Sequence, residues 1–234
     1  MDDSTPEPGD LEPTEQSEQA LDLALGRLPM FPLPNVVMFP HALLPLHVVE
    51  ERYVKMAKDI LSSHRFLVVS LLIDGEDAGR EGLPRVHGVA GVGEVVMAHE
   101  LPDGRFNLVV RGRARVRIDR ELPEDEPYRL VAATRLPDDM PANGAELMDA
   151  DASLRALVGG LADAIQEGGE LLRQVASAQD TPAELVDVIA AALVVDSTAR
   201  QQIMETTDVL ARIELVSAEV VAMTSRIGSP QRIN

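Results

Sequence analysis

Between Leu28 and about Leu136, apolar residues come in short alternating runs. Phe66–Ile73 (FLVVSLLI) is β-branched and bounded by Arg65 and the turn Asp74-Gly75. Val86–Met97 (VHGVAGVGEVVM) alternates apolar and small residues. Arg105–Val110 and Ala114–Ile118 alternate with period two after the hairpin turn Pro102-Asp103-Gly104, and Tyr128–Leu136 gives one more such run. A period of two puts every second side chain on one face, so each run predicts a strand. One segment breaks the series. In Glu50–Ser62 the apolar positions Tyr53, Met56, Ala57, Ile60 and Leu61 follow helical spacing.

The segment Leu28–Tyr53 is strongly apolar, yet Pro29, Pro32, Pro34, Pro40 and Pro45 interrupt it. Proline has no backbone N–H, so it ends strands, sits on sheet edges or forms turns. The spacing predicts two short edge strands, Leu28–Leu33 and Leu43–Val49, joined by a stiff loop, Pro34–Pro40. That loop carries Val36, Val37, Met38 and Phe39, which either fill a core interface or stand exposed as a contact surface.

After Leu136 the period changes. PDDMPANG (Pro137–Gly144) reads as a linker. Beyond it, Leu154, Leu157, Val158, Leu161 and Ile165 share one helix face, and Gly168-Gly169 ends that run. Thr181-Pro182-Ala183-Glu184 is a helix start, with a capping Thr, a Pro at the first helical position and a Glu closing the capping box. Thr198 with Gln201 offers a weaker start. Thr207 or Asp208 caps a last helix with the stripe Leu210, Ile213, Val216, Val220 and Met223. Four or five helices with short connections predict a small bundle.

The chain of 234 residues is 45% hydrophobic, enough for a real core, but aromatic-poor, so its packing is aliphatic. Its formal charge of −18 opposes non-specific binding to a polyanion. Residues 1–26 hold eight acidic residues and no Lys or Arg, which reads as a disordered acidic tail. The organisation expected is therefore a tail (1–26), a β-rich unit (27–137), a linker (138–147) and a helical bundle (148–228). Without cysteine there is no disulfide, thiolate nucleophile or cysteine metal site. The N-terminus lacks the basic and apolar regions of a signal peptide, and no apolar run is long enough to span a bilayer. A cytoplasmic protein without membrane contact is expected.

Chemistry is hard to place. No Gly-Lys pair supplies a phosphate loop, and no GxSxG elbow occurs. Gly88, Gly91 and Gly93 form GxxGxG with no helix start after it, which reads as a strand kink or bulge. Lys55 and Lys58 lie on the early helix as a solvated face. His41, His47, His64, His87 and His99 show no metal-ligand spacing. Neither a catalytic group, a metal site nor a cofactor is expected. Arg111, Arg113, Arg115 and Arg117 differ, because alternation places all four on one strand face. Such a stripe serves ion pairing, a protein partner or RNA. The charge of −18 and the lack of interleaved aromatics count against nucleic acid.

The order of motifs carries a resemblance. Leu28-Pro29, Pro32-Leu33, Val36-Val37, Phe39-Pro40 and Pro45-Leu46 make a proline-studded opening that resembles the N-terminal domain of the Lon protease family. Gly88-Val89-Ala90 leading to Leu101-Pro102-Asp103-Gly104, Gly112 before Arg115-Val116-Arg117-Ile118, and METTDVLARI (Met204–Ile213) continue it over roughly residues 28–225. Two positions depart. Pro34-Asn35 stands where the family often has Arg-Asp, and His41 where a Gly usually follows the Phe-Pro. The resemblance implies an α+β fold, a PUA-like β-barrel with one helix followed by a C-terminal α-helical bundle. It also implies a stand-alone, non-catalytic module without the ATPase and peptidase. Such a module would bind unfolded or exposed apolar protein segments in protein quality control or proteolysis, and would dock on a separate protease or on itself. Val36, Val37, Met38 and Phe39 are the expected contact residues, and the stripe Arg111–Arg117 the alternative, RNA-binding one.

Overall fold

A computed structural model describes residues 14–73, 84–123 and 125–228. The turn expected at Asp74-Gly75 and the first thirteen residues lie outside them. Six strands form one sheet: β1 (Leu28–Leu33), β2 (Leu43–Val48), β3 (Phe66–Leu71), β4 (Val89–Glu100), β5 (Phe106–Glu121) and β6 (Arg129–Arg135). Helix α1 (Glu15–Ala24) precedes them, and α2 (Glu51–Leu61) lies between β2 and β3. Five helices follow: α3 (Gly144–Ala164), α4 (Gly169–Ser177), α5 (Pro182–Leu193), α6 (Ser197–Glu205) and α7 (Val209–Gly228). The α+β class and the order of barrel and bundle are those the sequence implies.

The sheet closes on itself. β1 pairs in parallel with β3 and antiparallel with β6; β3, β4 and β5 pair in turn; and β5 reaches round to β6. The sixteen residues of β5 make this possible. Its first part holds β2 and its last part holds β6. The apolar runs Arg105–Val110 and Ala114–Ile118, read from the sequence with a break between them, are one strand. A bulge absorbs the break: Val92 faces Ala114 and Gly93 faces Gly112, which leaves Arg113 without an opposite residue.

β2 is an edge strand, as its proline predicts, but β1 is not. β1 escapes the proline rule by stagger. Pro29 has a ladder partner only on β6, and Pro32 only on β3. Each proline therefore has an unpaired side on which its missing N–H costs nothing.

The acidic tail also differs from expectation. From Glu15 it is helix α1, capped by Thr14, whose hydroxyl accepts a hydrogen bond from the Ser17 N–H. Leu21 and Ala24 join Leu28, Met30, Phe66, Val92, Val116 and Val131 in the barrel interior. Composition suggested disorder because the two anchoring apolar positions are few among the acids.

In the bundle, α3 packs on α7, α4 and α5. The box at Thr181 forms as read, with the Thr181 hydroxyl accepting from Glu184 N–H and the Glu184 carboxylate accepting from Thr181 N–H. α3 starts at Asn143–Gly144, inside the span read as linker. α6 is capped by Asp196, and Asp208 accepts the Ala211 N–H at the start of α7.

Candidate functional site

The Pro34–Pro40 loop is a wedge, not a displayed surface. Val37 and Phe39 enter the bundle core, whereas Val36 and Met38 face the cluster shared by the sheet and α2. Met38 and Phe39 are each 1% exposed. Val37, Met38 and Phe39 are buried and Val36 is half-buried, so the expected contact residues join the two halves rather than form a displayed surface. The wedge needs two glycines beneath it. A Cβ at Gly91 would lie 1.9 Å from the Met38 carbonyl oxygen, and one at Gly112 would lie 1.9 Å from that of Phe39. The GxxGxG cluster is therefore a place where two backbones meet. At the tips of the wedge Asn35 and His41 adopt φ of 58° and 63°. His41 thus takes, with a Cβ, the left-handed backbone that glycine adopts at least cost.

The arginine stripe is dispersed for the same local reason. The bulge at Arg113 turns that side chain toward α1, where Nη2 donates to Glu18 at 2.8 Å and to Ser17 at 3.0 Å. Arg115 points the other way, into the bundle. Its Nη1 donates to Asp187 at 2.8 Å, its Nη2 to the other Asp187 oxygen, and its Nε to the Met204 carbonyl at 3.2 Å. Arg212 of α7 joins through Asp138 at 2.7 Å, and Asp138 also reaches Arg115. Two arginines and two aspartates so lock β5, the linker, α5 and α7 together. Arg117 pairs with Asp119, and Arg111 is half-buried and engaged. The stripe does not form one basic face, so a continuous track for RNA is absent among the described residues.

His41 sits against this network. Burial lowers its pKa below the usual value, and the carboxylates of Asp187 and Glu184 oppose the shift. Among the described residues no cluster of three or more His, Asp or Glu is placed to hold a metal ion.

What the fold leaves open is the free edge of β2. Leu44, Leu46 and Val48 pack toward α2. The alternate positions Leu43, Pro45, His47 and Val49 are exposed, with Leu43 at 53% and Val49 at 51%. Pro45 stands in register with Val109 of β5, and Val109 with the exposed Met97 of β4. An apolar band thus crosses three strands. His47 is held by a 2.7 Å contact between its Nδ1 and the Asn107 carboxamide oxygen.

The row runs into a cleft of about 290 Å³. Phe31, Leu33, Val49, Tyr53 and Leu72 line it, and Arg52 and Arg129 stand at its rim. The Phe31 and Tyr53 rings meet at 4.3 Å, and the Arg52 guanidinium lies 4.6 Å from the Tyr53 ring centre. Arg129 donates to the Pro84 carbonyl at 2.8 Å and to Glu121 at 3.0 Å, which fixes the wall. Burial pushes the Tyr53 phenol up, so it stays a neutral donor. Such a surface can take an extended apolar segment: one side chain in the cleft and alternate side chains along β2. The LLPLHVV sequence hid it, because both faces of that strand are apolar and alternation carries no sign there.

The family model of the ATP-dependent protease La (LON) substrate-binding domain matches residues 27–221. The chain belongs to the Lon protease substrate-binding domain family. A Lon protease of Desulfovibrio desulfuricans is 30% identical over 88% of this chain and 24% of its own length. The N-terminal domain of the Mycobacterium avium complex Lon protease superposes with a TM-score of 0.67 at 17% identity, over 83% of this chain and 98% of that one. The Lon N-terminal domain protein from Xanthomonas campestris gives 0.55 at 21% identity, over 82% and 97%. These two likenesses establish the shared fold. The chain spans about a quarter of the length of the curated Lon proteases it matches. Helix α1 lies outside the matched span. Among the described residues no helix is long and apolar enough to cross a membrane.

Proposed function

We propose that this Lon-type domain is a non-catalytic recognition module that binds exposed apolar segments of other proteins on the β2 row and its cleft, in the service of proteolysis or protein quality control. One observation carries the reading. Leu43 and Pro45 stay exposed on β2, with Val49 just beyond it, and lead into a preformed apolar cleft, while Val37, Met38 and Phe39 are buried in the core. Family membership gives the row a use. Pro45 sharpens the mode. Without an N–H at mid-strand, the edge is a poor template for strand addition, so side-chain contacts carry the affinity. A separate protease, or a second copy of the chain, is the partner through which a bound client would be delivered. The test is titration of a fluorescently labelled, permanently unfolded protein. Leu43→Asp and Val49→Asp should each weaken binding at least about tenfold, the effect of losing roughly 1.4 kcal/mol, with the melting temperature unchanged. Unaltered affinity in both variants would sink the assignment.

A further inference from the structure

We propose that α1 is a releasable plug, and that its seat on the barrel is a second recognition site for an amphipathic helix carrying leucine and paired carboxylates. The seat spans β4, β5 and β6. Leu21 and Ala24 enter the apolar interior beside Met30, Val116 and Val131. The Leu25 carbonyl accepts the Ala133 N–H at 2.9 Å. Glu18 pairs with Arg113 and with Arg135 at 2.8 Å each, and Asp22 pairs with Arg135 at 2.7 Å.

The hold is weak for three reasons. A ten-residue helix is too short to persist alone and depends on its docking. Only two of its residues are buried. Its carboxylates are 40% and 61% exposed, so their ion pairs add little and fade with salt. The seat, by contrast, is built. The Arg113 side chain is 2% exposed, and its Nε makes no hydrogen bond even with α1 in place, with the Glu94 carboxylate 3.7 Å away. The present occupant leaves part of that cation's capacity unused. A released α1 uncovers an apolar opening flanked by Arg113 and Arg135. That chemistry selects a helix with carboxylates four residues apart beside a Leu/Ala stripe, as Glu18, Leu21, Asp22 and Ala24 are arranged.

Two measurements test the idea on the full chain. In hydrogen exchange of the wild type, the amides of Asp22 and Leu25 should exchange at least about a hundredfold faster than those of Val68 and Val92, and faster still at high salt. A labelled peptide of residues 14–25 (TEQSEQALDLAL) should bind Glu18→Arg/Asp22→Arg at least about tenfold more tightly than wild type, and adding Arg113→Ala should remove that gain. Protection of α1 equal to that of the strands would overturn the proposal. So would a folded double variant that binds the peptide no better than wild type.

Discussion

Arg115 on β5 and Asp187 on α5 form a two-pronged ion pair across the junction of barrel and bundle, with both side chains almost wholly buried. The residues are 72 positions apart in the chain. Removing one partner strands a buried charge. Asp187→Ala should therefore cost about 3–5 kcal/mol in urea unfolding. Replacing both by apolar residues, as in Arg115→Met/Asp187→Leu, should recover most of that loss. An exposed pair such as Arg117–Asp119 should shift stability by less than about 1 kcal/mol when broken.

The wedge makes a steric prediction. Gly91→Ala and Gly112→Ala each put a Cβ onto a backbone carbonyl and should destabilise by about 3 kcal/mol or more. Gly159→Ala, in the middle of α3 with open space around it, should instead stabilise by roughly 0.5–1 kcal/mol. Thermal unfolding of the three variants separates close approach from glycine flexibility.

The strands, the α2 helix and the capping box at Thr181 were legible because local periodicity and cap chemistry are written in neighbouring residues. Closure of the barrel was not. It depends on the length of β5 and on the register shift at Arg113, and a one-residue shift in strand pairing leaves no mark in period-two alternation. The same bulge sends Arg113 to α1 and leaves Arg115 for the bundle, so a stripe counted by period two came apart in space. Val36–Phe39 misled for another reason. Apolar residues on a stiff loop look alike whether they meet solvent or a second subdomain, and here Val37 and Phe39 join the bundle core while Val36 and Met38 join the cluster beside α2. The acids of residues 15–24 outweighed Leu21 in composition, though Thr14 was a readable cap.

Acid should loosen the turn after α2. His64 Nδ1 accepts the Phe66 N–H at 3.0 Å, which only the neutral ring can do, and burial lowers its pKa from the ordinary 6.5. The neutral form is favoured in the fold, so its stabilisation is present above pH 6.5 and is lost as pH falls through the lowered folded value. Between pH 7 and pH 5 the wild type should lose more stability than His64→Asn, whose side-chain oxygen takes the same hydrogen bond without titrating. Equal losses would remove His64 as the cause.

Pro45 guards the free edge. Pro45→Val restores an N–H in the middle of β2 and should promote self-association through edge pairing, seen as a larger species in sedimentation. A species no larger than that of the wild type would show that the edge is protected by something else.

The most direct measurement sets Val49→Asp beside Phe39→Asp in one titration with a labelled unfolded protein, each variant checked by its melting curve. Val49→Asp is expected to melt like wild type and bind at least about tenfold more weakly, whereas Phe39→Asp, 1% exposed in the core, is expected to lose the fold. A Phe39→Asp protein that stays folded and alone loses client binding, with Val49→Asp binding normally, would move the recognition surface back to the wedge and contradict the β2 site.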